Sequence, residues 1–356
     1  MDTVKISEGQ IKLLIPNTKK SALKASSPAF YNPVMVVNRD ISVLICKLLK
    51  PKSALDLLSA TGVRALRLKK ETGIKEVWAN DAKKSAFEFI RKNAKLNKLS
   101  IHISNMYASD LLAKSHKFDY IDVDPFGTPV PFVDDAVKKL NKNGILAVTA
   151  TDTAVLCGSA PFKVCIGRYG GKPIRNYLMH EVGLRILIKY VIETGLKHKI
   201  NLIPIFSNST RHYMRIYFKT TKTNVKKHKP NKVRLCPSEI SFRLGSIGVW
   251  QDAGPMWLGD LWDDELVDDM HSLAMKDKNI SKDTKELLFT IKEESKIHKI
   301  GFIDIAEFKP KNFPKINDVI ASLQGKGFKA ARTHFNPTGI RTNASKNILK
   351  KQVKFI

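Results

Sequence analysis

Acidic residues are scarce in this sequence. Sixty-one Lys and Arg face 33 Asp and Glu over 356 residues, a formal charge of +28, and the isoelectric point lies near 9.9. A charge that large repels itself unless a polyanion offsets it. Nucleic acid is therefore the first partner to consider, with a lysine-rich solvated surface as the bland alternative. Long apolar runs are missing too. None approaches the roughly 18 residues of a spanning helix, so no membrane partner is expected. The N-terminus, "MDTVKISEGQIKLLIP", lacks the basic, apolar and small-residue regions of a secretory leader. Cysteine is sparse: Cys46, Cys157, Cys165 and Cys236 include no C-x-x-C pair. That argues against a disulfide framework or a cysteine-built zinc site, and for a reduced, cytoplasmic setting. Hydrophobic content of 43% is ordinary for a globular chain, and the length suffices for two domains with a core each.

What is present is a regular alternation. "SALDLLS" reads as a short buried strand and "TGVRALRLKKE" as a helix. "KEVWAN" is a second strand, followed by the amphipathic "AKKSAFEFIRKNAKLN". "IHIS", "FDYIDV" and "GILAVTA" supply three more strands, which together predict an α/β fold with a parallel sheet covered on both faces. A long helix over "NYLMHEVGLRILIKYVIETGLKHK" leads into "INLIPIFS" and "HYMRIYFKT", which suit an antiparallel finish. The basic, nearly apolar-free "KTTKTNVKKHKPNKVR" marks the expected boundary between domains of residues 1–220 and 221–356. The second, smaller α/β domain contains "INDVIASLQGKGFKAARTHF", a helix, a glycine turn and a basic strand.

Glycine is also short where a dinucleotide site would need it. The first strand hands over to the first helix through "DLLSATGVR", in which only Gly62 remains of three spaced glycines. A diphosphate is disfavoured there, but a nucleoside can lie over the turn. Asp81 ends the second strand about twenty residues on, where an acid can hold both ribose hydroxyls; capping of the next helix is the structural alternative. Arg39 in "AFYNPVMVVNRDISV" and Arg64 after the turn are cations suited to a carboxylate, or to solvent or phosphate. Together with the parallel sheet and the acid-Pro-aromatic motif that ends the fourth strand, the reduced glycine turn and the ribose acid suggest S-adenosyl-L-methionine.

The stretch "YIDVDPFGTPVPF" ends the fourth strand in an acid, a proline and an aromatic ring. An exocyclic base amine is a weak nucleophile because its lone pair is delocalised. Asp124 could accept its N–H and the departing proton, the Pro125 carbonyl a second hydrogen bond, and Phe126 the face of the base. A plain turn after a strand is the alternative. Asp122 points to the same face by the period of two.

Taken together, "FYNPVMVVNRD", "LLSATGVRALR", "IDVDPFGTP", "GILAVTATDTAVLCG", "HEVGLRIL", "HYMRIYF" and "GPMWLGD" resemble the tRNA guanine-26 N2-dimethyltransferase family over nearly the whole chain. The resemblance implies a Rossmann-like class I methyltransferase sheet with a smaller C-terminal α/β domain. It implies Asp124 as the catalytic carboxylate, and Arg39, Arg64 and Asp81 against S-adenosyl-L-methionine. It also places Tyr107 and Ala108 of "NMYASDLL" over the adenine, although Tyr107 stands where the family usually has an acid. Phe30 and Phe126 match positions near the target base. Many relatives hold zinc through two cysteine pairs before the "GPLW"-like string. Only Cys236 remains here, so no metal is expected. The acids of "GDLWDDELVDDM" read as a solvated helix capped by Asp260, and His180–Glu181 lacks the second histidine of a zinc-binding helix.

The expectation is a transferase that dimethylates guanine N2 in tRNA, with the basic second domain gripping phosphates. No protein partner is implied. Methylation of adenine N6 in RNA or DNA, and a non-catalytic RNA-binding protein on the same scaffold, are the alternatives.

Overall fold

The computed structural model of the chain describes residues 2–17, 28–210, 212–222, 231–235 and 251–355. A hairpin comes first: β1 (Thr3–Glu8) and β2 (Ile11–Pro16), turned at Gly9 with φ 55°. Such a hairpin is marginal alone. Here Ile11, Leu13 and Ile15 bury against Val63, Leu66 and Ala94, which fixes it to the body.

The alternating segment then runs α1 (Val36–Leu49), β3 (Ser53–Asp56), α2 (Val63–Glu71), β4 (Glu76–Asn80), α3 (Lys84–Leu96), β5 (His102–Ser104), α4 (Ala108–Lys114), β6 (Phe118–Val123), α5 (Val130–Lys138) and β7 (Leu140–Ala150). Short α6 (Thr153–Leu156) and α7 (Phe162–Tyr169) lead to the long α8 (Met179–Lys197), then β8 (Asn201–Ser209) and β9 (Met214–Thr221). The sheet order is β5-β4-β3-β6-β7-β9-β8. Its first five strands are parallel, and β9 runs antiparallel to both β7 and β8. This is the Rossmann-like sheet with an antiparallel finish that the sequence predicts. All four residues of β3 are buried, as expected of a strand covered on both faces. The chain leaves β3 for β4 on one side and returns to β6 on the other, so a crevice opens at the carboxyl ends of these strands.

Beyond the sheet, β10 (Asn231–Leu235) pairs antiparallel with β11 (Gln251–Met256). Next come α9 (Asp264–Lys276), α10 (Lys282–Ser295), β12 (Ile303–Asp304), α11 (Ile316–Gly325), β13 (Ala330–Arg332), β14 (Gly339–Thr342) and α12 (Lys346–Phe355). Trp257, Trp262, Val267, Met270 and Leu288 lie in the same apolar core as the sheet, whereas Ile305, Val319, Leu323, Ile340 and Leu349 form a separate small core. A buried seam joins α1 to the start of α10. Asp40 accepts hydrogen bonds from the Ser281 amide (3.0 Å) and from the Ser281 (2.7 Å) and Thr284 (2.8 Å) hydroxyls.

One expected cap is corrected. Asp263, three residues after Asp260, accepts the Leu266 amide at 3.1 Å and starts α9. Asp260 meets His298 at 3.2 Å instead. Among the described residues no helix is long and apolar enough to cross a membrane, and no His, Cys, Asp and Glu cluster suits a metal. Cys236, Trp250, Lys226, Lys227 and Lys229 lie outside the described residues.

Candidate active site

A cavity of about 660 Å³ occupies the crevice. Of the nine predicted site residues, Phe30, Arg39, Arg64, Asp81, Asp124, Pro125 and Phe126 line it. Tyr107 and Ala108 are not in its wall: Tyr107 is 73% exposed and Ala108 is buried at the start of α4.

The turn between β3 and α2 forms the cavity floor. Gly62 has φ 79°, and a Cβ there would also sit 3.1 Å from Ile90, so glycine is required on both counts. Ala60, beside it, takes φ 48° without that excuse. Asp81 holds it there: one carboxylate oxygen accepts the Ala60 amide and the other the Lys83 amide, each at 2.9 Å. Asp81 therefore braces the cofactor-type turn, while Lys83 occupies the cap position of α3. Burial raises its carboxyl above the usual range, and the two backbone donors oppose this.

Both arginines already have carboxylate partners. Arg39 forks onto Glu8 of the hairpin with two 2.6 Å hydrogen bonds, and Tyr31 donates to the same carboxylate at 2.9 Å. Arg64 donates to Asp124 through Nη2, and through Nη1 to Asn38 (2.8 Å) and Ser42 (2.7 Å). Its Nε lies 3.4 Å from Asp122, so the two acids of the fourth strand do share a face. Asp122 is wholly buried and is also forked by Arg215 from β9. Although burial works against it, the two guanidinium groups hold the Asp122 carboxyl below the usual carboxylate range.

At the rim, Phe30 and Phe126 meet edge to face, with ring centroids 4.5 Å apart and planes at 75°. Phe126 is 55% exposed. Its loop is pinned by Gly127, whose φ is 78° and whose amide donates to the Thr151 hydroxyl at 2.6 Å.

Sequence reasoning missed Asp56. It ends β3 with a buried side chain, lines the cavity, and one of its oxygens has no hydrogen-bond partner. Burial pushes its carboxyl up to about 7, against the pull of Arg64 and with help from Asp122. A signal existed: Asp56, Asp81 and Asp124 each stand at the carboxyl end of a parallel strand. Glu8, Asn38, Ser42 and Arg215 gave no local signal.

A sequence model of the N2,N2-dimethylguanosine tRNA methyltransferase family matches residues 9–236 and 243–354. The tRNA (guanine(26)-N(2)/guanine(27)-N(2))-dimethyltransferase of Aquifex aeolicus is 37% identical, covering 97% of this chain and 95% of that protein. The tRNA (guanine(26)-N(2))-dimethyltransferase of Pyrococcus furiosus is 35% identical, with 97% and 96% covered. Among solved structures, Trm1 from Pyrococcus horikoshii in complex with S-adenosyl-L-methionine superposes with a TM-score of 0.86 at 34% identity, covering 99% of this chain and all of that one.

Proposed function

The chain belongs to the N2,N2-dimethylguanosine tRNA methyltransferase family, and on that premise we propose that its cavity transfers two methyl groups in succession from S-adenosyl-L-methionine to the exocyclic N2 of guanine 26 in tRNA. One observation carries the reading. Asp124 lines the cavity together with Phe30 and Phe126, held through one oxygen by Arg64, with its other oxygen taken by none of the described residues.

The wall fits the cofactor. The unpartnered, buried oxygen of Asp56 asks for a cation, which the ammonium of a methionine moiety provides. The Asp81 carboxylate, its backbone bonds using one lone pair on each oxygen, keeps acceptor capacity for two ribose hydroxyls. Arg39 and Arg64 lend positive charge to the side of the methionine carboxylate, and Tyr107 and Ala108, which lie outside that wall, are assigned to the adenine side on the family resemblance alone. When bound, the cofactor supplies a methyl group on a positively charged sulfur.

The chain's own residues position the acceptor. Phe30 and Phe126 take the faces of the extracted guanine. Asp124 accepts an N–H of the N2 amine and then its proton, and the Pro125 carbonyl takes the other N–H. Catalysis is otherwise alignment. In the division of labour proposed, residues 1–220 carry the chemistry and residues 221–356 grip tRNA phosphates, in part through the exposed Lys326, Lys329 and Arg332. The protein works in the cytoplasm.

The test is mass spectrometry of nucleosides from unmodified tRNA incubated with protein and S-adenosyl-L-methionine. Dimethylguanosine that disappears when guanine 26 is replaced is the expected result. Methyladenosine, or no product, overturns the assignment.

A further inference from the structure

Four charges of alternating sign touch one another in succession, from β9 to the cavity. Arg215 on β9 forks onto Asp122, with Nη1 to one oxygen at 3.0 Å and Nη2 to the other at 2.6 Å. Asp122 faces Arg64 at 3.4 Å, and Arg64 in turn holds Asp124. Arg215 and Asp122 have no solvent exposure, and neither lines the cavity. The string is braced sideways as well. Arg215 donates to Thr149 (2.8 Å) and Ser42 (3.1 Å), its guanidinium lies 4.5 Å from the Tyr217 ring centroid, and Ser42 also receives Arg64.

Packing alone does not account for this arrangement. Burying three of these charged groups, Arg215, Asp122 and Arg64, costs solvation that their mutual attraction barely repays, and apolar side chains of equal volume would serve a core as well or better. A string of zero net charge has a different virtue: with all three of its nitrogens facing partners, Arg64 is left in one orientation, and so is the Asp124 it holds. Two successive methylations place a demanding condition on that acid. The amine must meet the same acceptor before the first transfer and again after one N–H has become N–CH3.

We propose that Arg215 and Asp122 are positioning residues for the methyl transfer, acting through Arg64 to hold Asp124 toward the guanine amine. The inference rests on the function proposed above. It moves Arg64 from a counter-ion of the cofactor alone to the link between the buried string and the reacting base.

The test uses the full chain with three variants: Asp122→Asn, Arg215→Lys, and the charge-balanced pair Asp122→Asn with Arg215→Met, which leaves no uncompensated buried charge. Each is assayed for melting temperature, S-adenosyl-L-methionine affinity, KM for tRNA, kcat, and the ratio of monomethyl- to dimethylguanosine. The double variant is expected to melt near the wild type, to keep cofactor affinity and KM, and to lose about 100-fold in kcat, the scale of a small misplacement of a reacting group. Monomethylguanosine should accumulate, and Arg215→Lys should recover part of kcat. A kcat within a factor of about two of the wild type in the folded double variant, or a kcat loss that merely follows lost melting temperature and cofactor binding, overturns the proposal. The wild type serves as the control for the parent reading: if it forms no dimethylguanosine, that reading fails, whereas an active wild type with unaffected variants sinks only this one.

Discussion

Replacing Asp56 by Asn should make the protein more stable and less able to bind its cofactor, and the gain should depend on pH. In the folded chain burial pushes the Asp56 carboxyl from its ordinary 3.8 up to about 7. Below about pH 4 both folded and unfolded chains carry the proton, and burial costs nothing extra. Between about pH 4 and 7 the unfolded chain gives up the proton while the folded chain keeps it, so stability falls as pH rises. Above that range the folded chain carries the whole penalty. At about 1.4 kcal/mol per pH unit, the ceiling is roughly 4 kcal/mol. The attraction to Arg64 is already contained in that net shift. Other groups, such as Glu294 with its carboxyl lowered to about 2, lose stability in the opposite direction as pH falls. The quantity to measure is therefore the variant minus the wild type. Urea unfolding at about pH 4 and about pH 8 should give a difference near zero at the first and a gain of a few kcal/mol for Asn at the second. Calorimetry at the higher pH should show S-adenosyl-L-methionine binding weakened by about 10- to 100-fold, the loss of one hydrogen bond to a charged group. A stability difference that does not change with pH, or an Asn variant less stable at about pH 8, would refute the reasoning.

Asp124→Asn keeps an acceptor oxygen but removes the charge that receives the proton, so kcat should fall by about two to four orders of magnitude with cofactor affinity near normal; ordinary turnover would remove Asp124 from its role. Asp81→Ala should weaken cofactor binding without RNA by about 10- to 100-fold, and an unchanged dissociation constant would leave Asp81 as a turn brace only. Neutralising Lys326, Lys329 and Arg332 together should flatten the salt dependence of tRNA binding by about one unit of slope per lost phosphate contact, while free cofactor binds as before; an intact slope places the RNA elsewhere. Elemental analysis should find no stoichiometric zinc and a chelator should leave the melting temperature unchanged, whereas one equivalent of zinc would contradict the reading of Cys236 as a lone thiol.

Much of the sheet was legible because its strands are covered on both faces. "FDYIDV" and "GILAVTA" read as apolar runs, and the structure makes them β6 and β7. The hairpin at the N-terminus went unread, since "VKISEGQIKLLIP" packs on residues far along the chain and has little local signature. Arg39 and Arg64 stood out as cations near the turn, but their partners did not. Glu8 lies 31 residues before Arg39, and Asp124 lies 60 after Arg64. Arg215 meets Asp122 across 93 residues of sequence, and nothing in "HYMRIYF" marks it as more than one polar residue in a strand. Local pattern sets each acid at a strand end; only the tertiary fold decides which cation faces it.

The seam between α1 and α10 sets an order of events during synthesis. Asp40 leaves the ribosome 241 residues ahead of Ser281, its hydrogen-bond donor in the finished protein. At about 5–20 residues per second, that gap lasts on the order of 10 to 50 s. Arg215 emerges within the interval, so every member of the charge string exists while one face of α1 still waits for its covering helices. The nascent chain can thus assemble its acid–base machinery first and close its hydrophobic flank last. A contact of such long range forms late and slowly, and the exposed side of α1 in that window is where a chaperone would find the unfinished chain.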